Sequence, residues 1–172
     1  MDRLIYLFVW LSRITHCRGF GIQSPTDYWL VRYVINEHWP YYQYDSLGQD
    51  DDWLTRKLGR LYFRIANWLQ PNLIESNKYH DYLLAGCKRS LFGPSSELII
   101  INADINSPTC FSYIYNKVED GAVLVVDGID KDKDYWQRLI SGIEHCISFD
   151  LYYCGIVMYD KKRHQQHYII NF

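Results

Sequence analysis

The amino-acid sequence predicts a single domain of the α/β class, built on a mostly parallel sheet with N-terminal helices packed on it. The length is the first indication, because 172 residues fit one domain with a sizeable core. The second is that residues 1–70 carry apolar residues at helical spacing. The third is that residues 71–172 alternate between short apolar runs and amphipathic segments. Such alternation requires crossover connections, which make the strands parallel.

The composition is that of a folded protein with many large side chains. Apolar residues make up 48% of the chain and aromatic residues 17%, which excludes a disordered class. The formal net charge of −2 shows no excess of basic residues, so we expect no nucleic-acid partner. The five cysteines are odd in number and form no CxxC pair, which argues against a disulfide framework or a structural zinc site. We therefore expect free thiols in a reducing compartment, the cytoplasm.

An unbroken apolar run occupies residues 4–11. It is shorter than the about 20 residues that a bilayer-spanning helix needs, so we expect no membrane span. Residues 12–17 (SRITHC) do not form the A-x-A-like pattern of a signal-peptide cleavage site, and His16 before Cys17 does not suit a lipoprotein site. We interpret the run as a helix that docks on the domain, with a membrane anchor as the alternative.

Two further helices are predicted before residue 71. Ser24 is a candidate N-cap, with Pro25 in the first turn and Asp27 at the capping-box position. The acidic residues 50–52 open the next helix, where negative charge favours the positive end of the helix dipole.

This second helix carries an apolar stripe and a basic stripe. The apolar stripe consists of Leu54, Leu58, Leu61, Ile65 and Trp68. The basic stripe consists of Arg56, Arg60 and Arg64. We interpret the basic stripe as a solvated face, with contact to a partner's acidic surface as the alternative.

The remainder of the chain is predicted to contain six strands. They lie at residues 72–75, 97–102, 122–127, 146–152, 155–160 and 166–172. Helices are predicted at residues 77–92, 108–121 and 131–143. The last two strands are expected to form an antiparallel hairpin with its turn at residues 161–163.

Four segments are similar to segments of one bacterial family. The most specific is residues 16–25, HCRGFGIQSP, which is close to that family's HxRGFGIHSP stretch. The others are residues 40–44 (PYYQY), 61–71 (LYFRIANWLQP) and 148–157 (SFDLYYCGIV). On these segments the chain resembles class I, S-adenosylmethionine-dependent methyltransferase-like proteins. The resemblance implies a shortened Rossmann-like core at residues 71–172, with strands in the family order 1-4-5 followed by C-terminal antiparallel strands.

Departures from the family pattern affect the expected donor site. The family's first strand runs into a glycine-rich turn, ELGxxxG, whose bare backbone lets the methionine part of the donor approach. Here Glu75 matches the acid, but Ser76, Asn77 and Lys78 follow it and no glycine does. By the resemblance, Glu75, Asn77 and Asn102 occupy cofactor-binding positions.

The stretch after the first strand is short. Residues 77–96 number 20, whereas one βαβ unit takes about 30 or more. We therefore expect one helix here, and neither the family's second strand nor the acid at its end that holds the ribose hydroxyls. The first strand should then lie at an edge of the sheet, where residues 73–76 can pair with another chain in a homo- or hetero-oligomer.

In metal-dependent members of the family, carboxylates at the ends of the fourth and fifth strands hold a divalent cation. The corresponding residues here are Asn102 and Asp127. A hard cation prefers several anionic oxygen ligands and Asn102 offers only a neutral one, so we expect no metal site. Asp104 and Asp127 remain as catalytic candidates, with Asp130 nearby in sequence.

The shortening also changes the expected crevice. Because crossovers are right-handed, the order 1-4-5 would place the crossover helices on one face, and the donor crevice at the reversal point would disappear. The chain is then expected to be a methyltransferase-like protein without donor or cofactor, acting as a non-catalytic scaffold or partner subunit. The alternative is an active S-adenosylmethionine-dependent methyltransferase acting on a small molecule, which would use Glu75, Asp104 and Asp127.

His16 and Arg18 form a possible loop site within the glycine-containing motif. Loops of this kind often carry function, so these side chains are candidates for covering a substrate or gripping an anion. The alternative is a tight turn in which Arg18 hydrogen-bonds backbone carbonyls.

Three further groups of residues are possible sites. His164 and His167 lack matching acids and are interpreted as surface residues. Cys146 and Cys154, with His145, are interpreted as strand packing and not as a catalytic pair. A cluster of tyrosines is a candidate for an exposed binding surface: Tyr41, Tyr42 and Tyr44.

Overall fold

The computed structural model describes residues 3–103, 114–116 and 119–172. Over these residues the chain is an α/β protein with a seven-stranded mixed sheet. Its contacts divide it into two compact units. The helical unit comprises Met1–Pro71, Lys78–Ser90 and Ile170–Phe172, and the sheet unit comprises Asn72–Asn77 and Leu91–Ile169.

The described part of the helical unit contains four α-helices. They are α1 (Arg3–Ser12), α2 (Pro25–Leu30), α3 (Trp53–Leu69) and α4 (His80–Gly86). Shorter helical turns lie at Ile14–His16, at Val31–Ile35 and at Tyr42–Asp45. Helices α3 and α4 approach closely because Gly59 leaves room for Tyr82, and a Cβ at Gly59 would lie 2.6 Å from the Tyr82 ring.

The predicted starts of α2 and α3 are confirmed. Ser24 Oγ accepts a hydrogen bond from the Asp27 N–H group at 3.4 Å, and Pro25 is the first helical residue. Asp52 Oδ1 accepts a hydrogen bond from the Leu54 N–H group at 2.8 Å. These side chains satisfy backbone donors that the first turn of a helix leaves without a partner.

The basic stripe of α3 binds backbone carbonyls of its own unit. Arg64 is only 7% exposed, and its guanidinium donates to the carbonyl oxygens of Val34 at 2.6 Å and Ile35 at 2.9 Å. Arg56 donates to three carbonyl oxygens within residues 48–51. The prediction of a solvated face is wrong for Arg64, because spacing along a helix does not show which carbonyls the fold brings against it.

Helix α1 forms as predicted, but its apolar surface is covered on one side only. Phe8 is 70% exposed, and Ile5 and Leu11 are about half exposed. On the other side the Tyr6 ring meets the Trp53 ring edge-on, with their centroids 4.6 Å apart. Among the described residues, no helix combines the length and the hydropathy needed to cross a bilayer.

The strands of the sheet unit form one sheet. They are β1 (Leu73–Glu75), β2 (Leu91–Phe92), β3 (Leu98–Asn102), β4 (Val123–Asp127), β5 (Cys146–Asp150), β6 (Cys154–Tyr159) and β7 (Gln166–Ile169). Their order is β2-β1-β3-β4-β6-β5-β7. Every pairing is parallel except those that β6 makes with β4 and β5. The expected adjacency of β1, β3 and β4 is confirmed.

Two features of the sheet differ from the expectation. Residues 77–92 do not form one helix, because α4 ends at Gly86 and β2 follows it, paired in parallel with β1. Strand β1 therefore lies inside the sheet between β2 and β3, and the edge expected at residues 73–76 was wrong. The expected hairpin of the last two strands was also wrong, because β5 lies between β6 and β7.

The core of the sheet unit lies between the sheet and helix α5 (Lys133–Gly142). Its buried members include Ile99, Leu124, Val126, Tyr135, Trp136, Leu139 and Val157. The Trp136 ring lies so close to Gly155 of β6 that a Cβ there would overlap it. Of the helix expected at residues 108–121, residues 114–116 are helical and residues 119–121 are not, while residues 108–113, 117 and 118 lie outside the described residues.

Candidate functional site

An open hollow of about 570 Å³ lies at the carboxyl ends of β1 and β3. Ligands of parallel α/β sheets bind at this end of the strands, and the volume falls within the range of ligand sites. Its polar lining comes from Glu75, Ser76, Asn77 and Asn102. The structure thus brings the three predicted cofactor-binding residues together at one hollow. The expected loss of the crevice at a reversal of the crossovers stays a prediction, because most of the helix that would decide it lies outside the described residues. We call the observed hollow the strand-end hollow.

Glu75 is bound to the backbone of its own unit. Its Oε2 accepts a hydrogen bond from the Ser95 N–H group at 3.0 Å. Ser95 is buried, and its hydroxyl donates to the Leu73 carbonyl oxygen at 2.7 Å. The Glu75 carboxylate, which the resemblance assigns to the donor, therefore holds the loop at residues 93–97 against β1.

This loop is short because β2 and β3 flank the same residue. Ile74 is paired with Phe92 on one side and with Leu98 on the other. Glu97 Oε2 accepts a hydrogen bond from the Asn72 N–H group at 2.7 Å, which fixes the other end of the loop. The loop is thus held by two carboxylates, that of Glu75 at the end of β1 and that of Glu97 at its start.

The end of β2 lacks the acid that the family uses for ribose. Phe92 is followed by Gly93 and Pro94, both of which line the strand-end hollow. The two-residue strand β2 lies where the resemblance would place the family's second strand, and no acid follows it. Residues 76–79 after β1 all carry side chains, with Tyr79 in the left-handed conformation at φ 59°.

The predicted catalytic residues are only partly described. Asp127 of β4 is the register neighbour of Asn102, and its carbonyl oxygen accepts a hydrogen bond from the Ala103 N–H group at 2.8 Å. Asp104 lies outside the described residues. Burial raises the pKa of the nearby Asp130 carboxyl. Within the described part of the chain, no three His, Cys, Asp or Glu side chains are grouped as a metal site requires.

The glycine loop forms the tight turn that the sequence allowed. The Cys17 carbonyl oxygen accepts a hydrogen bond from the Phe20 N–H group at 3.0 Å, and Arg18 and Gly19 have φ angles of 52° and 78°. The Arg18 side chain is exposed and makes no hydrogen bond to a described residue, so the proposed bonds to backbone carbonyls do not form. His16 is half-buried and lies outside the hollows described here.

The interpretations of the other histidines and cysteines agree with the structure. His164 and His167 are exposed, and His167 Nδ1 lies 2.9 Å from Ser148 Oγ. Cys146 and Cys154 are buried, and burial raises the pKa of the Cys146 thiol, which makes it a poorer nucleophile.

The tyrosine cluster is exposed only in part. Tyr42 is 96% exposed, whereas Tyr41 and Tyr44 are half-buried and pack edge-on against Phe63, with centroid distances of 4.9 and 5.2 Å. All three tyrosines line an open hollow of about 650 Å³ in the helical unit.

Sequence reasoning missed two residues of interest. Ser95 anchors the loop at the strand-end hollow, and the only signal was a small polar run after Gly93 and Pro94. Asn36 is 8% exposed, and its Nδ2 atom has no hydrogen-bond partner. Nothing in the sequence distinguishes Asn36 from a helix-terminal asparagine.

No protein-family model, curated protein or solved structure matches the chain. Its function is therefore argued from the geometry of its sites.

Proposed function

We propose that this chain is a methyltransferase-like protein that does not hold S-adenosylmethionine as the family does, and that it acts as a non-catalytic scaffold or partner subunit. The observation that carries the proposal is the hydrogen bond between Glu75 and the Ser95 N–H group. A carboxylate oxygen already engaged with the backbone is less available to a ligand's donors. The side chains after Glu75 and the absence of an acid after Phe92 support the same conclusion.

The residues present therefore do not fit the methyl donor in the family's manner. The donor's methionine part needs close approach to bare backbone, which glycine provides and Ser76 and Asn77 do not. Its ribose needs an acceptor at the end of the second strand, where this chain has Gly93 and Pro94. We derive no methyl-transfer step from this site.

A partner is expected at a different edge from the one that the sequence indicated. Since β1 is flanked on both sides, a second chain cannot extend the sheet at residues 73–76. The outer strands are β2, with two residues, and β7, with four. Strand β7 is the longer of the two outer strands, so we propose β7 as the edge for a homo- or hetero-oligomer.

The strand-end hollow favours a second candidate function, an active S-adenosylmethionine-dependent methyltransferase acting on a small molecule. Its volume of about 570 Å³ is adequate for such a donor. Glu75 and Asn102 line it, and Asp127 lies beside Asn102 in register.

Binding of S-adenosylhomocysteine separates the two candidates. A ligand that binds only the folded state raises the melting temperature. Under our proposal, millimolar S-adenosylhomocysteine leaves the melting temperature unchanged and gives no heat in titration calorimetry. Under the second candidate it raises the melting temperature, and Glu75→Gln reduces that rise.

Glu97→Gln is the matched control for Glu75→Gln. Glu97 also accepts a backbone hydrogen bond at β1, but it does not line the strand-end hollow. A rise in melting temperature that Glu75→Gln abolishes and Glu97→Gln retains would refute the non-catalytic proposal.

A further inference from the structure

The helical unit contains a hollow of about 300 Å³ beside the glycine loop. We call it the Arg18 cavity and define it by six of its lining residues: Tyr6, Arg18, Asn36, Lys57, Arg64 and Phe172. None of them lines the strand-end hollow, so binding here does not depend on the function proposed above.

The lining of the Arg18 cavity has an excess of positive charge. Arg18, Lys57 and Arg64 are cationic, whereas the acidic groups of the lining residues are two, the Glu37 side chain and the main-chain carboxylate of Phe172, the last residue of the sequence. Glu37 Oε2 already accepts a hydrogen bond from the Tyr41 hydroxyl at 2.7 Å. The electrostatic potential of the cavity therefore favours an anion.

Arg64 has neutral partners only. Besides the carbonyl oxygens of Val34 and Ile35, its guanidinium donates to the Tyr44 hydroxyl at 3.3 Å. No carboxylate of a described residue lies within ion-pair distance of Arg64. A buried cation without a counter-charge is costly, and a bound anion would lower that cost.

Two donors of the cavity are also unengaged. The Arg18 guanidinium is exposed and makes no hydrogen bond to a described residue, although its backbone is held in the left-handed region that favours glycine. Asn36 is nine-tenths buried with its Nδ2 atom unpartnered. The Asn36 side chain lines the cavity, but its Nδ2 atom is shielded from solvent, so the Arg18 guanidinium is the unengaged donor that a ligand in the cavity can reach.

The rest of the lining is aromatic. Lys57 Nζ lies 4.7 Å from the centroid of the Tyr6 ring and 4.3 Å from that of Phe172. Trp10 also lines the cavity. A lining that combines aromatic rings with charged donors suits a ligand with a flat apolar part and a charged end.

We propose that the Arg18 cavity binds a small oxyanion carried on an apolar ring, such as an aromatic carboxylate or an aryl phosphate. Arg18 donates to its oxygens, Lys57 and Arg64 supply compensating charge, and Tyr6 and Phe172 contact the ring. Carboxylates and phosphates both accept paired hydrogen bonds from a guanidinium, which gives Arg18 the largest share in recognition.

Titration calorimetry and thermal shift on the full chain test this proposal, with benzoate and phenyl phosphate as probes. We expect at least one of them to bind and to raise the melting temperature. Benzyl alcohol, which has the ring without the charge, should do neither. Inorganic phosphate, which has the charge without the ring, should bind at least tenfold more weakly than phenyl phosphate.

Arg18→Gln should weaken binding at least tenfold, and circular dichroism should show that the exposed substitution leaves the fold intact. Arg89→Gln is the matched control, because Arg89 is an exposed arginine of the same unit that lines none of the described hollows. The proposal is overturned if neither probe binds, if Arg18→Gln binds as tightly as the unsubstituted chain, or if Arg89→Gln weakens binding equally. Equal affinity for phenyl phosphate and inorganic phosphate would overturn the role of the ring.

Discussion

The strand-end hollow and the Arg18 cavity differ in how far the chain satisfies its own polar groups. The strand-end hollow is larger, about 570 Å³ against about 300 Å³, but its acid, Glu75, is bound to the Ser95 N–H group. In the Arg18 cavity, the Arg18 guanidinium and the Asn36 amide nitrogen have no partner among the described residues. Volume alone therefore does not identify the better binding site. The comparison favours the smaller cavity, because the Arg18 guanidinium is exposed there and makes no hydrogen bond to a described residue.

The largest expected effect is a loss of stability when Arg64, which lines the Arg18 cavity, is replaced. Arg64→Met should lower the free energy of unfolding by about 3 kcal/mol, because it leaves the Val34 and Ile35 carbonyl oxygens without their charged donor. Urea denaturation measures this loss. Arg89→Met, at an exposed arginine that donates a hydrogen bond to the Gln70 carbonyl oxygen, is the control and should change stability by less than about 0.5 kcal/mol. Similar losses in both variants would show that Arg64 is not a structural donor.

A smaller effect is expected at the loop that closes the strand-end hollow. Ser95→Ala should cost about 1.5 kcal/mol, because the hydroxyl donates to the Leu73 carbonyl oxygen and accepts from the Glu97 N–H group at 2.9 Å. Ser96→Ala changes the neighbouring serine, for which no side-chain hydrogen bond to a described residue is formed. If chemical denaturation finds no difference between the two variants, the hydrogen bonds of the Ser95 hydroxyl do not stabilise the loop at this hollow.

The smallest effect is a pH dependence in the helical unit. Burial and the carboxylate of Asp51, which accepts from the Tyr82 hydroxyl at 2.7 Å, raise the pKa of Tyr82 to about 12. A phenol in the unfolded chain ionises near pH 10, so between about pH 10 and 12 the unfolded state loses this proton first. Below pH 10, ionisation of Tyr82 does not change the free energy of unfolding. As the pH rises from 10 towards 12, that ionisation lowers the free energy of unfolding.

Tyr82→Phe removes this titration. Melting temperatures measured from pH 9 to about pH 12 should therefore fall less steeply for Tyr82→Phe than for the unsubstituted chain. Tyr42→Phe, at a tyrosine that is 96% exposed, should follow the unsubstituted chain. An unchanged slope for Tyr82→Phe would mean that the hydrogen bond to Asp51 does not protect the phenol.

Local features of the fold were readable from the sequence. The caps at Ser24 and Asp52 and the apolar strands at residues 98–102 and 123–127 follow from rules that act within a few residues. The adjacency of β1, β3 and β4 followed from the resemblance, and the structure contains it. Each of these features depends either on a pattern within a few residues or on the strand order that the resemblance implies.

The features that were missed depend on contacts between distant residues. Strand β2 has two residues, too few to show the alternation of apolar and polar residues that marks a strand. It is a strand because its backbone pairs with one side of β1. The role of Arg64 depends on carbonyl oxygens about 30 residues earlier in the chain. The site residues Glu75, Asn77 and Asn102 were brought together as expected, whereas the loop that engages Glu75 was not foreseen.

Strand β1 also has a consequence for the order of assembly. Its central residue, Ile74, has Phe92 and Leu98 as its two neighbours, and these are only six positions apart in the chain. One loop closure therefore brings both flanking strands to β1, and the entropy of closing a second long loop is avoided. This corner of the sheet should form in a single kinetic step, and a cut in the backbone between Phe92 and Leu98 would divide that step into two.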